Sequence, residues 1–115
     1  MTTKRDVKPK PPHHLRPATA KWWAGVVTDY ELEAHHIRLL TLAAESWDRC
    51  QEARQAIEEN GLTFLDKHHQ PRARPEVAIE RDSRGAFCRV LRELGLDIGA
   101  PDDARPPAVV GKRRD

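Results

Sequence analysis

The thirty residues from Glu31 to Asn60 contain neither proline nor glycine, and this unbroken stretch limits what the rest of the chain can build. Apolar residues recur within it at Leu40, Ala43, Trp47, Cys50 and Ile57. A spacing of three and four keeps one helical face buried, and Arg54 fills the one gap in that seam. Asp29, Glu31 and Glu33 crowd the start, where the helix dipole favours anions, and Asn60-Gly61 supplies a left-handed stop. The pattern therefore predicts one helix over residues 31–60, roughly 40 Å long at 1.5 Å per residue. A compact domain of this size has a radius of gyration of only about 13 Å. A helix that outruns its own globule needs other subunits to cover it, the alternative being a long helix in a monomeric bundle. The small residues Ala43, Ala44, Ala53 and Ala56 are expected to let helices of different subunits pack closely.

The flanking segments divide the chain into an arm (1–16), a helical core (17–96) and a tail (97–115). The arm is polar, carries Pro9, Pro11 and Pro12, and is expected to be mobile. Pro17 and Thr19 open a first helix through about Thr28, where Trp22 with Val26 and Trp23 with Val27 form apolar pairs four residues apart. Asp29-Tyr30 turns into the long helix. After Gly61, Leu62-Thr63-Phe64-Leu65 has strand character and Asp66 to Gln70 returns the chain toward Arg72, in a hairpin that no Asn-Gly or Asp-Gly pair fixes. Pro75 begins a last helix that ends with Leu94 before Gly95, and a bend at Gly85 is compatible with it. On that helix Ile79, Ala86, Phe87, Val90 and Leu94 share one side, and Arg81, Arg84, Arg89 and Arg92 the other. Beyond it Pro101, Pro106 and Pro107 forbid a long helix and predict an extended tail.

The fold class is thus mainly α: a short N-terminal helix, one long central helix, a hairpin-like link and a C-terminal helix. With 33% of residues charged and 38% hydrophobic, the core is modest, and nothing approaches a run of eighteen apolar residues that would span a membrane. The basic N-terminus has no apolar stretch behind it and does not read as a secretory signal. Cys50 and Cys88, each placed on an apolar helical face, are expected to be buried free thiols.

The net charge of +2 conceals a segregation. The arm has Lys4, Arg5, Lys8, Lys10 and Arg16 against Asp6, whereas the long helix has seven acids against Arg38, Arg49 and Arg54. The tail ends Lys112-Arg113-Arg114-Asp115. Basic ends around an acidic middle point to nucleic acid, and phosphate binding needs cations that reach a backbone without burying acids. Three groups meet that condition: Lys4, Arg5, Lys8 and Lys10 in the arm; Arg81, Arg84 and Arg92 on the ridge; Lys112, Arg113 and Arg114 in the tail. The ridge is otherwise a solvated face. Leu40, Ala43, Trp47, Cys50 and Ile57 are the candidate core and oligomer residues.

No catalytic constellation emerges. His13-His14, His35-His36 and His68-His69 are adjacent pairs, whereas helical zinc pairs need a spacing of four. Gly111-Lys112 lacks the remaining residues of a phosphate-binding loop, and Ser46 and Ser83 have no spaced His and Asp. No cofactor or metal is expected. A helix-turn-helix has the right layout, but its second helix would bring Glu31, Glu33 and Glu45 to the phosphates.

The assembled pattern resembles a known family. A proline-led helix with Trp23 precedes a long helix with a central Trp47 that ends Glu-Glu-Asn-Gly-Leu-Thr; a strand-like link, a proline-started helix and Leu-x-x-Leu-Gly-Leu (91–96) follow. This is similar to the small terminase subunit of tailed bacteriophages, of the type found in cohesive-end and related siphophages, over about residues 15–96. The chain departs from it where Gly95-Leu96 leads to Asp97-Ile98-Gly99 instead of Thr-Pro and an arginine-rich turn, and where the hairpin lacks glycines. The resemblance implies a ring-forming, non-catalytic subunit, phage- or prophage-borne, working in the cytoplasm of the bacterial host. Its implied partners are double-stranded viral DNA at the packaging start, the large terminase whose ATPase and nuclease it regulates, and copies of itself, with no membrane. A helical protein–protein adaptor that oligomerises without nucleic acid is the alternative.

Overall fold

Three helices and one small hairpin make up the computed structural model, which describes residues 8–96. Helix α1 spans Pro17–Asp29, α2 Ala34–Asn60 and α3 Pro75–Glu93; strands β1 (Thr63–Leu65) and β2 (Pro71–Ala73) lie between α2 and α3. Proline stands at the first position of both α1 and α3, where its fixed φ fits and no N–H is needed. α3 runs unbroken through Gly85.

Helix α2 starts three residues later than its acidic run predicts. Glu33, not Glu31, is the capping residue: its side chain accepts from the backbone of His36, and its own N–H donates to His36 Nδ1 at 3.1 Å. The two groups satisfy each other's otherwise unpaired donors, and the residues before them stay extended. At the other end Gly61, with φ +87°, donates its N–H to the Ile57 carbonyl at 2.7 Å and stops the helix as expected.

Helices α2 and α3 run antiparallel, so residues late in one meet residues early in the other. Cys50 Sγ lies 3.8 Å from Glu80 Oε2, Trp47 packs on Phe87, and Leu40 and Leu94 are both fully buried in one cluster. Ala43, Cys50 and Ala53 are buried along this seam, and Ala44 is buried against α1. The small residues assigned to subunit contacts therefore bring helices together within the chain, only Ala56 remaining half-exposed. Cys50 is buried as expected, but Cys88 is exposed: it falls between Arg84 and Arg92 on the solvent side of α3.

The core is gathered at one end, where Leu15, Trp23, Val26, Val27, Leu40, Ala44 and Leu94 meet. Toward the hairpin only two helices remain, and no residue of α3 itself is fully buried.

One polar tie anchors α1. Asp48, buried on α2, accepts from Thr19 Oγ1 at 2.6 Å and from the Arg16 backbone N–H at 2.9 Å. A carboxylate from another helix thus serves the N-terminus of α1, whose preceding residue makes no side-chain cap. Leu15 is buried beside it, and His14 Nε2 meets Glu45 Oε2 at 2.8 Å, so the end of the expected mobile arm is held against α2. Hydrogen bonds to a buried charge contribute about 1.5–3 kcal/mol. Asp48→Ala is expected to destabilise the chain by about that amount, read as a lower denaturant midpoint. The Thr19→Val background should shrink the loss, because part of it is then already spent.

Candidate nucleic-acid and subunit surfaces

The ridge on α3 exists as a surface. Arg81, Arg84, Arg89 and Arg92 are all exposed, with Arg81 leaning on Asp82 at 3.1 Å and Arg84 on Glu80 at 3.4 Å. The Arg81–Asp82 pair is exposed on both sides and weak, whereas Arg84 is tied to a Glu80 side chain that is only 15% exposed. Lys8 and Lys10 are exposed near the N-terminal end of α1. Lys4, Arg5, Lys112, Arg113 and Arg114 lie outside the described residues, as does the proposed tail from residue 97. The structure therefore describes the ridge in full and the arm in part.

The candidate seam divides. Leu40 and Ala43 are fully buried, Cys50 nearly so and Ile57 half-buried. Trp47 is not buried: 42% of it is exposed. Its position on the helical arc is that of a core residue, but α1 and α3 diverge over it and leave a cleft of about 370 Å³ lined by Ala18, Thr19, Trp22, Trp47 and Phe87. Phe87 bridges the two tryptophans, with ring centroids 5.1 Å from Trp47 and 6.0 Å from Trp22. Trp23, by contrast, is buried and donates Nε1–H to Thr41 Oγ1 at 3.2 Å.

The hairpin, expected to be loosely specified, has a defined brace. β1 and β2 pair antiparallel with Phe64 opposite Arg72. Asp66 Oδ1 accepts from the N–H groups of His68 (2.8 Å) and Gln70 (3.0 Å), and Oδ2 accepts from Arg72 Nε at 2.9 Å. His69 adopts φ +64°, the left-handed role that glycine takes in other turns. An aspartate opening a turn and bonding the backbone beyond it was a legible signal. The basic residues it presents, Lys67, Arg72 and Arg74, belong to none of the three cationic groups read from the sequence.

Burial raises the Cys50 thiol above its ordinary range, and the neighbouring Glu80 carboxylate adds to the effect, so it stays protonated and unreactive at neutral pH. Among the described residues no three His, Cys, Asp or Glu side chains gather as a metal site would require. Of the histidine pairs, the His35 and His36 rings lie 4.0 Å apart at a tilt of 46°, and His13 meets His14 edge-on at 6.1 Å. Among the described residues no helix is long and apolar enough to cross a membrane.

A family model described as phage terminase, small subunit, matches residues 21–107. That span takes in most of α1, all of α2, the hairpin and α3. No curated protein and no solved structure matches the chain.

The Asp66 brace carries a pH dependence. The Gln70 N–H, then Arg72 and the His68 N–H, hold its carboxyl below the usual carboxylate range in the folded hairpin. A depressed folded value means the stabilisation is complete above the unfolded value of about 4 and is lost as pH falls through the lower folded one. The amide resonances of His68 and Gln70 should therefore move together below about pH 4. Asp66→Ala should show the displaced positions already at neutral pH.

Proposed function

The chain belongs to the phage terminase small-subunit family, and from that membership we propose that it is the non-catalytic DNA-recognition subunit of a genome-packaging machine. Copies assemble into a ring, bind double-stranded DNA at the packaging start, and bring the large terminase ATPase-nuclease to it in the cytoplasm of the bacterial host. The observation that supports DNA binding is the separation of charge: exposed cations on the arm and on α3, and a net acidic α2 between them. Phosphates approaching α2 would meet Glu45 and Glu52, whereas Lys8, Lys10, Arg81, Arg84 and Arg92 offer donors at the surface.

Such contacts position a protein on DNA more than they read its sequence. Lys4, Arg5, Lys8 and Lys10 supply sequence-independent affinity, as do Lys112, Arg113 and Arg114. Arg81, Arg84 and Arg92, held on a rigid helix, contribute orientation. The exposed apolar residues of the hairpin and the half-exposed apolar side of α3 support assembly.

The test is salt-dependent retention on duplex DNA. Each phosphate neutralised contributes about −0.9 to the slope of log affinity against log salt. Deleting residues 1–10 removes four cations while leaving Leu15 and Arg16 in place. The deletion should weaken binding to all sequences alike and flatten the slope by about 1–3, with the oligomer intact. An unchanged slope would shift the contact to Arg81, Arg84 and Arg92. A full chain that DNA does not retain at low salt would leave the adaptor reading standing instead.

A further inference from the structure

Six large apolar residues are exposed on the described chain: Leu42, Trp47, Leu62, Phe64, Leu65 and Ile79. Three of them belong to the hairpin segment, where Leu62 is 60%, Phe64 40% and Leu65 64% exposed, and a fourth, Trp47, floors the aromatic cleft. A projecting apolar tip and an apolar cleft thus occur on different parts of one molecule.

The chain cannot close them on itself. Trp47 lies thirteen residues before the end of α2, roughly 20 Å along the helix axis. The hairpin is fastened at that end: the Arg74 N–H bonds the Leu62 carbonyl at 2.9 Å, and Arg74 Nε bonds the Asn60 carbonyl at 3.1 Å. Pro75 then starts α3 immediately. The tip therefore projects beyond the helix pair and does not fold back.

We propose that the aromatic cleft receives the hairpin of a second copy of this chain, with Phe64 entering between Trp22, Trp47 and Phe87. The inference rests on the assembly reading above and names its interface. Alternation along a strand puts Leu62 and Phe64 on one face of the ribbon, with Arg72 opposite Phe64. That face is apolar with basic flanks, since the segment 62–74 holds Lys67, Arg72 and Arg74 against Asp66 alone. Beside the cleft, across the Asp48–Thr19 tie, lies a depression lined by His14, Arg16, Glu45, Asp48, Arg49 and Glu52, three acids against two arginines. α2 as a whole has five acids against three arginines. Charge thus complements shape. A phosphate backbone would match the guanidinium groups but would strand Leu62 and Phe64 in water, so protein is the better occupant. Tip and cleft are different surfaces, which makes the contact head-to-tail, and a repeated head-to-tail contact closes into a ring when its rotation permits.

The test uses full-length protein and native mass spectrometry. Phe64→Asp disables the tip, and Ala18→Arg fills the cleft from an exposed position in the first turn of α1. Leu62→Asp is a second tip variant, and melting curves establish that all three fold. Each variant alone should lose the multi-subunit mass of the wild type. Mixed in equal amounts, Phe64→Asp and Ala18→Arg should give a dimer and nothing larger, because one intact tip and one intact cleft remain per pair. A wild-type oligomer indifferent to both variants, or a mixture that stays monomeric, overturns the interface alone. A wild type that is itself monomeric overturns the assembly reading with it. Loss of DNA retention at unchanged mass in Phe64→Asp would assign the hairpin to nucleic acid and overturn the proposal.

Discussion

Helix α2 is longer than anything in the described chain that can lie against it. It has 27 residues, α3 has 19 and α1 has 13. α3 follows α2 back along its length, and α1 crosses only the half that holds Leu40 and Ala44. A three-sided core forms where all three meet, and a two-helix ribbon is left beyond it. Two features accompany this inequality: the cleft between α1 and α3 over Trp47, and a hairpin exposed along both strands.

Polar groups secure what apolar area does not. α1 is short and has a wide apolar face, but its N-terminus would be free to shift were it not for Asp48. That carboxylate replaces a local cap with a long-range one, so ordering Arg16 and Thr19 also fixes where α1 crosses α2. At the far end Asp66 does the same for the hairpin, binding backbone N–H groups and Arg72 at once. Because the hairpin holds its shape without core contacts, it is available as a rigid element at the surface. The charge pattern follows the same division: α2 is net acidic, whereas the α3 ridge and the hairpin are basic.

Local chemistry was legible in the sequence, and three-body geometry was not. Asn60-Gly61 ended α2 and Pro75 began α3 because those residues act within one turn. The start of α2 was misplaced because Glu31 and Glu33 look alike until His36 chooses between them. The three-and-four spacing places Trp47 in the buried seam, yet 42% of it is exposed, because exposure there depends on how α1 and α3 flank it, which no single-helix pattern encodes. Asp48 shares a face with Ala44, and its partners, Thr19 and the Arg16 N–H, come from the start of α1 and the end of the expected mobile arm, which no pattern within α2 encodes. Cys88 was within reach: the same helical arc that grouped Arg84 with Arg92 puts Cys88 between them, facing solvent. Of the cationic groups, α3 could be placed and residues 97–115 lie outside the described chain.

Whether one copy is a complete molecule decides what the open cleft and the exposed hairpin are for. Sedimentation equilibrium of the wild-type chain, from nanomolar to tens of micromolar, tests that without any substitution. A chain whose longest helix and aromatic cleft need a second copy should reach a mass several times 13.1 kDa as concentration rises, then hold it as a closed ring does. A mass of 13.1 kDa across the whole range would contradict the claim, and the exposed hairpin and open cleft would then be features of a monomer.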